Sequence, residues 1–408
     1  MTQASAVRVV SPGHTSDDDV DLQSYVSIAQ ESLLGHAPSI WPLYLDRVGR
    51  ENVRLVRVDD RIVGGLAFYR MSHVFGREAV GAAGISGVAI DPVVRGSQVC
   101  ATMLKTTLRE LHDEGMPIAS LYASTQHPYR SVGFEQAGSR FDYTLPLRCL
   151  PRPNRSLACH RCEHAPLAAM RDVHRSQADE TNGNLVRTDG LWERLLRPYD
   201  GKRCVTYLFG DRENPAGYAI LKQAGRDAGV PAELVVTDYA VNTAAALDRL
   251  MSLLHDHRSM FDRVRWCGGP QDALLAAASE HWVTVHEMSR WMVRILNVPA
   301  ALLSRGYPPT LSGEVRLVIE DDLLADNAGV WRLAWTNGSI EVERIAAELP
   351  DHASLARVDV RYLVPLYSSF LTAGQLRQFG HLRSGSRHDI DVLDAAFAGP
   401  SPWLPEYF

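Results

Sequence analysis

The pattern of apolar and polar positions opens with a short run, Val7 to Val10, that predicts a strand. An acidic start at Ser16-Asp17-Asp18-Asp19 leads into apolar positions up to Leu34 and predicts a helix. A hairpin follows: Val53, Leu55, Val56 and Val58 precede an Asp59-Asp60 turn, and Ile62 to Tyr69 returns as a β-rich run. From Ala79 to Ile90 the chain is uncharged, which suits a strand covered on both faces, and Asp91-Pro92 ends it. Cys100, Met103, Leu104, Leu108 and Leu111 then recur at helical spacing, with Glu110 and His112 turned away. A further strand, Ile118 to Ala123, follows the Gly115-Met116-Pro117 break. The order is therefore strand, loop, helix, strand.

Pro146, Pro151 and Pro153 cluster with Arg148, Arg152 and Arg155 and mark the end of a first unit, residues 1–150. The middle unit, 151–290, repeats the rhythm. Val205 to Phe209, Tyr218 to Leu221 and Leu234 to Val241 predict strands, and Thr243 to Leu254 predicts a helix. Here Asn242-Thr243 joins strand to helix directly, with no Arg-Gly loop between them. The third unit, 291–408, has Trp291 to Leu296 as a strand, Val298 to Arg305 as a helix, and strands at Val315 to Ile319, Trp331 to Trp335 and Ile340 to Val342. Asn337-Gly338 is a two-residue hairpin signal. A helix around Val392 to Phe397 precedes an extended tail with Pro400, Pro402 and Pro405 that ends at Phe408. The fold class is a mixed α/β (α+β) chain.

Length agrees, since 408 residues at roughly 150 per domain give about three domains. The net charge is -6 with 46% apolar residues, and no basic block stands out, which argues against nucleic acid as a partner. Neither a membrane-crossing run nor a leader pattern is visible, so a cytoplasmic location is expected. Six irregularly placed cysteines suit free thiols in a reducing compartment.

Two segments carry candidate chemistry. Val88-Ala89-Ile90 runs into Asp91-Pro92-Val93-Val94-Arg95-Gly96-Ser97-Gln98-Val99 and a helix, an arrangement whose backbone N–H groups can hold an anion. One strand later comes Tyr129-Arg130-Ser131-Val132-Gly133-Phe134. Together, in this order, they resemble the GNAT superfamily of acyl-CoA N-acyltransferases. Arg294-Ile295-Leu296-Asn297-Val298-Pro299-Ala300-Ala301-Leu302, Arg305-Gly306-Tyr307, Leu393-Asp394-Ala395-Ala396-Phe397 and a terminal Phe408 sharpen this to a resemblance to the Eis (enhanced intracellular survival) acetyltransferases across the whole chain.

That resemblance implies an active GNAT domain, a degenerate second one and a C-terminal domain like sterol carrier protein, assembled as a hexamer. It implies acetyl-CoA as co-substrate, with pantetheine along Val88, Ala89 and Ile90, the pyrophosphate among Arg95, Gly96, Ser97, Gln98 and Val99, and Ser124 near the cofactor's end. Tyr129 would be the general acid and the α-carboxylate of Phe408 the base. Trp41 would line the amine pocket. Better-known members carry Phe and His where this chain has Gly87 and Tyr122, and their acidic loop residue has no partner near Glu31, so the pocket differs in shape and charge. The acceptor would be a primary amine of a small molecule, aminoglycoside-like or polyamine-like, or a lysine. Gln98 stands where the family commonly has Gly, and Cys100 where it has a small residue. Gln98 also keeps open a rival from another class, a catalytically inactive protein binding an apolar ligand through its C-terminal domain.

Other signals are set aside. Cys159-His160-Arg161-Cys162-Glu163-His164, near Cys149, is half a zinc motif, but on a strand Cys159 and Cys162 point to opposite faces, so no metal is expected. Cys100 has no base beside it and reads as packing, His127 reads as a solvated loop residue, and Trp331 and Trp335 share one face of a strand as core.

Overall fold

The computed structural model describes residues 7–33, 39–198, 202–224, 232–348 and 354–408. Leu34, where the first helix was expected to end, falls outside them.

The first part of the chain runs β1 (Val7–Val10), α1 (Ser16–Ser32), α2 (Ile40–Val48), β2 (Val53–Val58), β3 (Arg61–Phe75), β4 (Glu78–Ile90), α3 (Val99–Asp113), β5 (Ile118–Tyr122), α4 (His127–Arg130) and β6 (Glu135–Pro146). The middle part runs β7 (Cys159–Cys162), α5 (Leu167–Asp179), β8 (Leu185–Val186), α6 (Asp189–Leu196), β9 (Cys204–Gly210), β10 (Pro215–Ala224), β11 (Glu233–Val241), α7 (Ala244–Asp256), β12 (Arg263–Gly268), α8 (Ala273–Ala277) and β13 (Thr284–Ile295). The last part runs α9 (Val298–Ser304), β14 (Gly313–Glu320), β15 (Gly329–Thr336), β16 (Ser339–Ala346), β17 (Ala356–Asp359), α10 (Val360–Tyr367), α11 (Ala373–Gln378), β18 (Leu382–Arg383) and α12 (Arg387–Ala396).

Local chemistry sets the helix starts. Thr15 accepts from the Asp18 amide while the Asp18 carboxylate accepts from the Thr15 amide, a reciprocal cap on α1 reinforced by Asp17 and Asp19 in the first turn. On α3 the predicted stripe holds: Met103, Leu104, Leu108 and Leu111 are buried under the sheet.

Among the described residues the first two parts share one sheet in the order β1-β2-β3-β4-β5-β13-β6-β12-β11-β10-β9-β7, with β8 on β3. Two of its steps are parallel, β4 to β5 and β11 to β12. Each is made by a strand-helix-strand crossover, through α3 and α7 respectively, so the repeat legible in the sequence is a repeat in space. Between the two units β13 pairs with β5 on one side and β6 on the other. Residues 291–295, read above as opening the third unit, thus belong to the large sheet. Sequence could not show this, because β13 lies far along the chain from both partners.

The third part forms its own sheet, β16-β15-β14-β17-β18. Asn337-Gly338 turns β15 into β16 as predicted, with both residues at positive φ. Trp331 and Trp335 are buried in a core that runs on into Phe75 and Trp291 of the large sheet, so the third domain packs on the first through continuous apolar contact. Cys159 and Cys162 lie on β7, and no helix among the described residues is long and apolar enough to cross a membrane.

Candidate active site

β4 and β5 pair at only three positions, Ala82 with Ile118, Ala83 with Ala119 and Gly84 with Ser120. Beyond Gly84 the strands part, while β4 stays paired to β3 as far as Ile90. The edge of β4 facing β5 therefore has no strand neighbour there, and its backbone groups are available to an extended ligand. A bulge lies within this stretch, where the β3 to β4 register slips between Gly65 and Ala67. Gly87 makes it possible: its φ is +62°, its carbonyl accepts from the Tyr25 hydroxyl at 2.7 Å, and a Cβ there would lie 2.5 Å from Tyr25 Oη and 2.7 Å from Tyr44 Oη. A phenylalanine side chain at position 87 has no room in this chain.

A cavity of about 710 Å³ occupies the gap. Its walls come from β4 (Ile85 to Val88), the end of β5 and the loop after it (Leu121 to Ser124), Trp41 and Tyr44 of α2, Tyr129 of α4, Arg194 of α6, Glu287 to Arg290 of β13, and the terminal Tyr407 and Phe408. Trp41 is buried edge-on against Tyr25 and Tyr44.

The loop after β4 leaves backbone amides at the start of α3 without helical acceptors. Asp91 turns it by accepting from the Val93 amide at 2.9 Å, and Arg95 ties it down by donating to the Ile90 carbonyl and to Ser32 Oγ. Gly96 has φ +80° and open space where a Cβ would be. The first internal bond of α3 runs from the Thr102 amide to the Gln98 carbonyl at 2.8 Å, so the amides of Val99, Cys100 and Ala101 have no helical acceptor. Gln98 caps nothing with its side chain and is exposed. The Ser97 hydroxyl turns inward and donates to the Val94 carbonyl at 2.6 Å.

Tyr129 lies across the cavity from that strand edge. Its ring packs edge-on against Phe134, and its hydroxyl has no hydrogen-bond partner among the described residues. Burial, helped by nearby Cys100, pushes the phenol well above its ordinary value and keeps it protonated through the neutral range. Burial also pushes the Cys100 thiol up, which leaves it a poor nucleophile at neutral pH.

Phe408 enters the same cavity at the end of an anchored tail. Its ring lies against β4, where a Cβ on Gly84 would be 3.0 Å from it. Tyr122 also lines the cavity, but its hydroxyl donates to the Leu404 carbonyl at 2.7 Å and its ring packs on Tyr407 at 4.3 Å between centroids. Its visible work is to hold the tail.

The structure thus gathers Trp41, Val88, Tyr122, Ser124, Tyr129 and Phe408 in one cavity, with Arg95 to Val99 on the adjoining loop. Ala89 and Ile90 contribute backbone, their side chains being buried beneath. His127 is not part of the wall. Sequence reasoning missed Tyr44, Arg194, Glu287, Arg290 and Tyr407. Tyr44 carried a signal, because three residues after Trp41 on a helix is the same face. The others come from distant segments and carried none.

Comparison with known proteins places this geometry. Residues 16–137 and 183–295 each match an acetyltransferase (GNAT) domain family, and residues 298–405 match a sterol carrier protein domain family. The chain is 30% identical to a crystallised GCN5-related N-acetyltransferase from Anabaena variabilis, with a TM-score of 0.89 over 99% of this chain and 100% of that one. It is 28% identical over 374 residues to the N-acetyltransferase Eis of Mycobacterium tuberculosis, covering 83% of this chain and 84% of the relative. The fold is shared with Eis1 from Mycobacterium abscessus, at 19% identity and a TM-score of 0.79 over 99% of this chain and 100% of that one.

Proposed function

The chain belongs to the GCN5-related N-acetyltransferases, in the three-domain arrangement of the Eis proteins, and from that premise we propose that it moves an acetyl group from acetyl-CoA directly to a primary amine. The observation that carries the mechanism is the meeting, in one cavity, of an open β4 edge, the uncommitted hydroxyl of Tyr129 and the chain's last residue, Phe408.

Pantetheine pairs with the backbone of Val88, Ala89 and Ile90. The pyrophosphate lies on the free amides at the start of α3, among Arg95, Gly96, Ser97, Gln98 and Val99, where the helix dipole favours negative charge. Ser124 borders the reactive end. The amine nitrogen attacks the thioester carbonyl, the C–N bond forms and the C–S bond breaks. The amine's surplus proton passes to the Phe408 carboxylate, and the Tyr129 hydroxyl protonates the departing thiolate. No covalent acetyl-enzyme is involved.

Trp41, Tyr44, Tyr69 and Tyr122 give the acceptor an aromatic wall, with Glu287 as its carboxylate. Such a wall favours a cationic amine, whether on a small aminoglycoside-like or polyamine-like molecule or on a lysine side chain. The assembly is a homo-oligomer, a hexamer as the resemblance implies, working in the cytoplasm without metal, membrane or nucleic acid. The inactive-binder reading is not favoured, because both GNAT family matches and the likeness to the N-acetyltransferase Eis support transfer.

The test is calorimetric titration of acetyl-CoA into untagged protein, followed by thiol release against a panel holding an aminoglycoside, a polyamine and a lysine peptide. Binding together with amine-dependent thiol release is the expected result. Absence of acetyl-CoA binding would remove the proposal.

A further inference from the structure

We infer that the cleft of the second GNAT domain is a receptor for the chain's own C-terminal segment, held there in place of a nucleotide cofactor, and that Arg187 and Glu406 position the terminal carboxylate across the domain boundary. The inference rests on the reading of Phe408 as proton acceptor given above.

The second domain repeats the parting of strands seen in the first. β11 pairs with β12 only from Glu233 to Val236, then runs on to Val241 beside an opening. At the head of the following helix, however, the two domains differ. Thr243 caps α7 by accepting from the Ala246 amide at 3.1 Å, and no Arg-Gly loop precedes it. On α3 the corresponding amides are left to a ligand.

Tail residues occupy the second opening instead. Trp403 lies against Gly269, the residue directly after Gly268, the last on β12 paired to β6, and a Cβ on Gly269 would be 2.6 Å from the indole. Asp238, on β11 past its last contact with β12, takes both terminal nitrogens of Arg187 at 2.7 Å and the Tyr218 hydroxyl at 2.6 Å. The remaining nitrogen of Arg187 donates to Glu406. The Arg187 and Glu406 side chains are only 1% and 4% exposed. A guanidinium between two carboxylates in so dry a place is costly to break, because either partner left alone is an unpaired buried charge.

Backbone contacts of the tail are shared: Ser139, Tyr122 and Arg140 of the first domain donate to the Pro402, Leu404 and Pro405 carbonyls, and the second domain takes Trp403 and Tyr407. The Trp403 amide donates to the Asn182 carbonyl at 3.1 Å, the Trp403 carbonyl accepts from Asn184 at 3.0 Å, and Arg194 donates to the Tyr407 carbonyl. These partners sit on the segment from the end of α5 to α6, within the second domain. Since an extended residue spans at most ~3.6 Å, fixing Glu406 confines Phe408, two residues on, to within roughly 7 Å of that anchor. The second domain has thereby lost a cofactor site and gained a share in the first domain's chemistry.

The experiment uses the full untagged chain and reads kcat, acetyl-CoA affinity and the rate at which carboxypeptidase releases Phe408, followed by mass spectrometry. Glu406→Gln, which keeps the shape and removes the charge, should lower kcat at least ten-fold, leave the acetyl-CoA Kd within two-fold and speed Phe408 release at least ten-fold. Trp403→Ala, which empties the seat on Gly269, should do the same, and Arg187→Lys should fall between wild type and Glu406→Gln. Unchanged protection of the tail in both Glu406→Gln and Trp403→Ala, or release of the tail with no loss of kcat, overturns the inference. Removal of Phe408 alone separates it from its premise: full turnover without that residue sinks the proton-acceptor reading and leaves tail protection in the point variants to be judged on its own.

Discussion

The guanidinium of Arg294 stands against the bare Cα of Gly133, so close that a methyl group there would lie 2.7 Å from Arg294 Cζ. Arg294 comes from β13, is fully buried, and meets both Asp321 oxygens at 2.7 and 2.6 Å just past β14 of the third domain. Its Nε and Nη1 have no hydrogen-bond partner among the described residues. The turn that carries Tyr129 is thus closed onto a buried ion pair joining the large sheet to the C-terminal domain.

Gly133→Ala follows from this contact. The residue sits at φ +94°, where a side chain is strained, and the added methyl must push a buried charge away from its partner. We expect a loss of about 3 kcal/mol in urea unfolding. A loss below about 1 kcal/mol would mean that Arg294 moves aside freely and that the glycine serves only the turn.

Tyr129→Phe isolates the hydroxyl, because the ring's packing on Phe134 is kept and the hydroxyl has no bond to lose among the described residues. The expected result is a fall in kcat of about a hundred-fold, in the range for one proton-transfer group, with acetyl-CoA affinity within two-fold of wild type. Steady-state kinetics beside calorimetry separates the two. Equal losses in rate and affinity would mean that Tyr129 shapes the cofactor site and does not donate a proton.

What could be read in advance was what is local. Ala79 to Ile90, the Asp91 to Val99 loop and the stripe on α3 are contiguous, and each is fixed by its own composition, so the strand, the loop and the helix stand where predicted. The second crossover at β11 and α7 was legible for the same reason. The first half of β13, Thr284 to Arg290, was not, because it is mostly exposed and pairs with β6 alone, so it lacks the apolar signature that marked Trp291 to Ile295 as a strand. Its Glu287 and Arg290 reach the cavity only through that pairing. Arg187 and Glu406 lie 219 residues apart and meet only because the tail returns across two domains. Tyr122 was legible as a position but not as a role, since its bond to Leu404 depends on the same return.

Acid sensitivity should trace to His73. The ring is fully buried, stacked on Trp291 at 5.3 Å, and bonded to the Gly183 carbonyl at 2.7 Å and to Ser120 at 2.8 Å. Burial lowers its pKa from 6.5 to about 4, the bond to Gly183 opposing the shift only in part. In the window between those values the unfolded chain binds a proton that the folded chain refuses, so stability is full above pH 6.5 and falls as the pH drops toward 4. Burial holds His174 down as well, in the same direction. His73→Gln keeps polar atoms for Ser120 and Gly183 but does not titrate. The stability lost between pH 7 and pH 4, read from urea midpoints, should be about 3 kcal/mol smaller in the variant than in wild type, whatever the variant costs at neutral pH. Parallel losses in the two proteins would show that His73 is not the group being protonated, and would place the acid sensitivity at His174 or among the paired carboxylates.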